Sequence, residues 1–210
     1  MNRKVRSLSE HLCYIALAKS DVSACVQLLE GSFQRFGPVE KTLMSDRGAA
    51  LKFLLPLKSF TTRYLVFELN GWCLCVTDMI GENCFVDVYA LSRKTRCPAM
   101  AAEFGATQRS FRFMEGGEVK RSIDCYRDGS DWFFEEMGAR LDFESAEHYS
   151  RPDRSERLTP DLVTRYLSQC SEIPFPLDVR KTAFASIHGI QRCLDRLRVP
   201  LEQFFVDDQL

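Results

Sequence analysis

Cysteine, histidine and clustered acids are the groups in this chain whose spacing suggests chemistry. Cys84 would sit in the first turn of a helix opening at Gly81-Glu82-Asn83, where unpaired N–H groups and the dipole lower a thiol pKa. A thiol nucleophile also needs a base, and the three histidines, His11, His148 and His188, have no catalytic local context. Phe85 and Val88 place Cys84 near a buried stripe, so core packing is the stronger reading. Cys73 and Cys75 alternate along a strand and share one face, as two ligands of a metal would. Zinc sites add a second close pair, and the chain has no Cys-x-x-Cys or His-x-x-His, so both read as core residues beside Trp72. The nine cysteines are odd in number and lie mostly in apolar runs, which favours buried free thiols over a disulfide scaffold. No catalytic residue, metal or cofactor is expected.

The carboxylates are more suggestive. Between Asp124 and Glu147 there are eight acids against two arginines, Arg127 and Arg140. Two carboxyls converging in a cleft would serve a glycosidase or a metal-dependent hydrolase. A solvated sheet end is the commonest explanation, and a recognition surface for a basic protein is the functional one. The residues expected to carry such a surface are Asp128, Asp131, Trp132, Glu135, Glu136, Asp142 and Glu144. Arg151, Arg154, Arg157 and Arg165 follow at once but alternate with Asp153, Glu156 and Asp161, so they make no phosphate track. Gly116-Gly117 lies inside a hairpin rather than ahead of a helix and is no phosphate cradle.

These groups are carried by a chain of 210 residues, 45% apolar and 27% charged, with net charge −1. That is an ordinary globular balance, with nothing that argues for nucleic acid or a membrane. The basic start, Met1 to Arg6, precedes a short apolar run that ends in Lys19 and Asp21, so it reads as a strand rather than a secretory signal. A cytoplasmic protein is expected. Oligomeric state is not legible.

The elements that must position these groups are clearest from Arg109 to Glu136. Alternating runs flank Gly116-Gly117, a two-residue turn, and Asp128-Gly129 turns the chain again into Trp132-Phe133-Phe134. Phe111 and Phe113 would share one face with Val119, Ile123 and Cys125, giving an antiparallel meander with one face on a core and one in water. Upstream, Leu12–Ala18 reads as a strand, Asp21 caps a short helix ending at Gly31, and 32–48 read as a loop. Ala49–Leu57 and Tyr64–Leu69 read as strands, and Asn70-Gly71 turns into Trp72–Thr77. A helix from Asn83 and a strand Cys97–Phe104 follow. Residues 145–158 read as a charged linker, Thr159-Pro160 starts a helix to about Cys170, and a last helix spans roughly Ala183–Leu197. The fold class is therefore α+β, an antiparallel sheet with helices packed on one face and additional C-terminal helices. Its body spans 1–144, with a faint pseudo-repeat of 12–69 and 72–135, and 145–210 pack on it.

The string from Trp72–Thr77 through "FRFMEGGEVKRS" to "DGSDWFFEEMG" resembles uncharacterised bacterial cytoplasmic proteins, some of which are immunity proteins of polymorphic toxins. The likeness covers roughly residues 64–168. It implies a protein that binds and blocks a toxin domain by surface complementarity, and the acidic run between Asp124 and Glu147 suggests that this partner is basic. The alternative is a thiol- or carboxylate-dependent hydrolase.

Overall fold

A computed structural model describes residues 14–34, 39–44, 49–50, 53, 61–77, 83–175 and 187–193. In chain order these form β1 (Tyr14–Ala18), α1 (Val22–Gln34), β2 (Val39–Met44), β3 (Thr61–Leu69), β4 (Trp72–Thr77), α2 (Asn83–Thr95) and β5 (Ala99–Phe104). The meander follows as β6 (Gln108–Glu115), β7 (Glu118–Asp128) and β8 (Asp131–Gly138). Then come one helical turn α3 (Ala146–Tyr149), a 3-10 turn at Arg154–Glu156, α4 (Pro160–Ser171) and β9 (Ile187–Cys193).

Local chemistry sets these boundaries. The Ala24 N–H donates to Asp21 Oδ1 at 2.8 Å and opens α1. Thr159 caps α4 by accepting from the Leu162 N–H, with Pro160 at the first helical position. Asn70 and Gly71, at φ of 52° and 75°, make the β3–β4 turn, and Gly116 and Gly117, at 60° and 83°, make the β6–β7 turn.

The strands form one antiparallel sheet in the order β2-β9-β3-β4-β1-β5-β6-β7-β8. The α+β class thus stands. Because β1 and β4 are antiparallel neighbours, the crossovers β1–α1–β2 and β4–α2–β5 leave the sheet centre in opposite directions. Two crossovers of the same hand must then lay their helices on the same face. Cys25, Leu28 and Leu29 of α1 and Val88 and Leu91 of α2 accordingly share one core with Ala16, Val66, Cys75 and Ala101. The opposite face packs against α4 through Leu162, Val163, Tyr166 and Leu167, with Leu17, Leu74, Phe111 and Ile123. The additional C-terminal helix therefore covers the face that α1 and α2 leave open.

Four local expectations are corrected. Ala49, Ala50 and Phe53 are helical, not part of a strand. The expected loop at 32–48 contains the end of α1 and the edge strand β2, whose residues from Glu40 to Leu43 are exposed. The expected last helix is a strand over its described part, and β9 fills the gap between β2 and β3. Val119 does not share the face of Ile123: the β6–β7 register runs Phe113↔Arg121 and then Met114↔Val119, so Lys120 is a bulge. The bulge turns Val119 onto the α2 face beside Met114. Residues 145–158 lie against the sheet, with Tyr149 and Leu158 buried. His11, Leu12 and Cys13 lie outside the described residues, as do Gly81 and Glu82. No helix among the described residues is long and apolar enough to cross a membrane.

Candidate functional site: the open face of the β6–β8 meander

α2 packs over β1, β5 and the near parts of β6 and β7. Beyond it, no described helix covers the rest of β6, β7 and β8 on that face. The result is an open groove of about 750 Å³, lined by Tyr89 of α2, Gln108, Arg112 and Met114 of β6, Val119, Ser122, Asp124 and Tyr126 of β7, and Glu135 and Met137 of β8. Tyr89 and Met137 on its walls are 40% and 56% exposed.

Strand register organises the groove into rows. Glu103 pairs with Ser110, Ser110 with Asp124, and Asp124 with Glu135, so three carboxylates and a serine cross four strands in a straight line. Neighbouring strands lie about 4.8 Å apart, so the row spans roughly 14 Å. On one side runs the row Gln108–Tyr126–Phe133, and on the other Arg112–Ser122–Met137. Like charges set directly opposite each other repel, and Asp124 and Glu135 are such a pair.

Hydrogen bonds relieve the repulsion only in part. Arg112 donates to Ser122 Oγ at 3.2 Å and to Asp124 Oδ1 at 3.2 Å, and Ser122 donates to Asp124 Oδ2 at 3.0 Å. The Tyr126 hydroxyl donates to Glu135 Oε1 at 2.9 Å, which raises the tyrosine pKa. The Tyr126 ring also stacks on Phe133, centroids 5.4 Å apart. Arg112 is thus the single cation among the groove-lining side chains, against Asp124 and Glu135, with Glu103 behind them.

Glu103 is the unusual member. It is 1% exposed, in a strand otherwise made of small and apolar residues. Gln108 Nε2 donates to its Oε2 at 3.0 Å, and the Ser110 hydroxyl opposite also favours its charged form, although its Oε1 and the Ser110 Oγ meet no partner of good hydrogen-bond geometry among the described residues. Burial first, and the Asp124 carboxylate second, push its carboxyl up to about 7, with Arg112 opposing.

The expected recognition residues do not form one patch. Glu135 lies in the groove. Asp128 and Asp131 are exposed at the β7–β8 turn, and Asp142 is exposed beyond β8. Trp132 is half-buried on the opposite face, with the Arg109 guanidinium 4.8 Å over its ring. Glu136 and Glu144 also lie on that opposite side and are occupied. Arg121 Nη2 reaches Glu136 at 2.6 Å and Glu144 at 2.7 Å, Arg140 donates to Glu136 at 2.8 Å, and the Tyr149 hydroxyl donates to Glu144. This network fastens the α3–α4 segment to the sheet. Glu103, Gln108, Arg112, Asp124 and Tyr126 were not singled out from sequence. Their signal is a lone acid in an apolar strand and the polar half of each meander alternation.

Among the cysteines, Cys25, Cys73 and Cys75 are buried together under α1. Contact with the other two thiols holds Cys25 below the usual thiol range, and Cys73 and Cys75 are raised in return. Cys84 is in the first turn of α2 as expected, and its side chain lies outside the described ones. His148 and His188 are half-buried. Among the described residues no three Cys, His, Asp or Glu side chains are placed to hold a metal ion. Compared with family models, curated proteins and solved structures, the chain matches none.

Proposed function

We propose that this protein is an interaction module that binds and neutralises a basic toxin domain, as immunity proteins do, through the open face of β6–β8. The observation that supports this reading is the carboxylate row crossing an uncovered sheet face between aromatic and thioether side chains. Negative charge steers a basic partner onto the face, and Tyr89, Tyr126, Phe133 and Met137 offer the apolar area that supplies affinity. Co-expression with the product of the adjacent gene, followed by size-exclusion chromatography, tests it. One co-eluting peak that splits in the Asp124→Lys/Glu135→Lys double variant supports the reading. Separate peaks at micromolar concentration for the wild-type protein count against it.

A carboxylate-dependent hydrolase is the second reading, favoured by one observation: Glu103 and Asp124 share one cross-strand row with Ser110 between them, and burial and the Asp124 charge raise the Glu103 carboxyl to about 7, in the range of general acids. Its near-complete burial beneath Gln108 weighs against contact with a substrate. Hydrolysis of glycoside or ester substrates that is abolished in Glu103→Gln would favour this reading over the first.

A further inference from the structure

We infer that the groove is a receptor for a single arginine side chain presented by the protein partner, an assignment that rests on the interaction reading above. Three features point to a cation with a planar head and an apolar stem.

First, charge is unbalanced. Asp124 shares Arg112 with Ser122, but among the described residues Glu135 receives only the Tyr126 hydroxyl, on Oε1. A guanidinium over Asp124 and Glu135 meets two carboxylates about 5 Å apart on adjacent strands, a spacing its five-donor fork can bridge. Second, the row beside them is aromatic. The stacked Tyr126 and Phe133 rings offer π-faces, on which arginine stacks better than lysine. Met114, Val119 and Met137 line the groove for the methylene stem.

Third, Glu103 supplies what a mere cluster of surface acids lacks. It is buried behind the row, bound through Gln108 to the groove floor, and its Oε1 meets no donor of good hydrogen-bond geometry among the described residues. Burying a carboxyl with one oxygen left short of a well-placed donor is unfavourable for the free protein. A cation arriving over Asp124 stabilises its ionised form. A metal ion does not fit this role, because no three ligating groups converge among the described residues. The occupant is therefore an extended organic cation.

The test uses small probes and the whole chain. N-acetyl-arginine methylamide, its lysine counterpart and the uncharged isostere N-acetyl-citrulline methylamide are titrated into 15N-labelled protein at pH 7.5, and backbone amide shifts are followed. The arginine probe should shift amides of β6–β8 saturably at millimolar concentration, the lysine probe more weakly and the citrulline probe not at all. Glu135→Gln, an exposed substitution, should weaken arginine binding about two- to fivefold. Glu103→Gln should weaken it without losing the native amide spectrum. Equal shifts from citrulline, stronger binding of lysine, or no saturable shift overturns the inference. The two readings fail separately. A partner that co-elutes equally well with wild type and with Glu135→Gln/Asp124→Asn supports the interaction module and overturns the arginine receptor. A saturable arginine response leaves the receptor standing even if no toxin co-elutes.

Discussion

Arg121 and Glu144 meet at 2.7 Å with side chains 1% and 0% exposed. A buried ion pair of this kind is unforgiving, because removing one partner strands the other charge away from water. Arg121→Met and Glu144→Gln should each lower stability by about 3–5 kcal/mol in urea titrations. The paired replacement Arg121→Met/Glu144→Leu should cost clearly less than the sum. Additive losses would mean that the two groups do not act as a unit. Because Glu144 also accepts from Tyr149, each single variant should speed proteolysis between residues 140 and 160.

Glu103 should make stability fall as pH rises. Its carboxyl titrates near 7 when folded and near the ordinary 4.5 when unfolded. Between those values the folded chain holds more protons, so unfolding free energy declines with pH, is highest below about 4.5 from this group, and levels off above 7. The change is on the order of 3 kcal/mol. Thermal unfolding of Glu103→Gln from pH 4.5 to 8 should be flatter than that of the wild type. A parallel pair of curves would remove Glu103 as the source.

The two glycines of the β6–β7 turn are not equivalent. A Cβ on Gly116 would enter open space, but one on Gly117 would meet Arg93 Cβ at 2.6 Å. The Gly117 N–H also donates to the buried Ser92 Oγ at 3.1 Å, clasping the hairpin tip to α2. Gly116→Ala should cost about 1–2 kcal/mol from its left-handed backbone alone. Gly117→Ala should cost more, and should shift the amide resonances of Ser92 and Arg93. Equal losses would show that the clasp contributes nothing.

Thiol reactivity should follow access. Among the cysteines whose side chains are described, Cys97 and Cys170 are half-buried, and Cys25, Cys73, Cys75 and Cys125 are buried. Burial pushes Cys170 up to about 12, which leaves little thiolate at neutral pH. Iodoacetamide mapping by mass spectrometry should therefore find Cys97 labelled before Cys25, Cys73, Cys75, Cys125 and Cys170. Early labelling of Cys25 would mean that α1 opens readily and exposes its thiol cluster.

The meander was legible because glycine pairs and period-two alternation act locally. The bulge at Lys120 was not, since one extra residue breaks the alternation on which the reading depends, and Val119 changed faces with it. The pattern of β9 is ambiguous for a related reason. Ile187 and Ile190 are three apart, which suits one side of a helix. In a strand they point to opposite faces, and because this sheet is covered on both sides each finds a core, Ile187 with Leu65 and Ile190 with Val66. Gly189 between them passes so close to Met44 and Phe53 that no side chain fits without a shift. β2 leaves no signal in the sequence because an edge strand with mostly exposed residues carries no apolar alternation. The groove was half legible. Glu135 stood out in the acidic run, but lining Glu103 up with Asp124 required a register across three strands that no local pattern encodes.

The seat of β9 between β2 and β3 bears on how the chain is made. Until residues 187–193 have left the ribosome, β2 has no neighbour among the described strands and β3 presents a bare inner edge to them. A nascent chain halted before Ile187 would hold an unfinished sheet whose open edge invites pairing with other chains. Completion of this fold is thus a late event in synthesis.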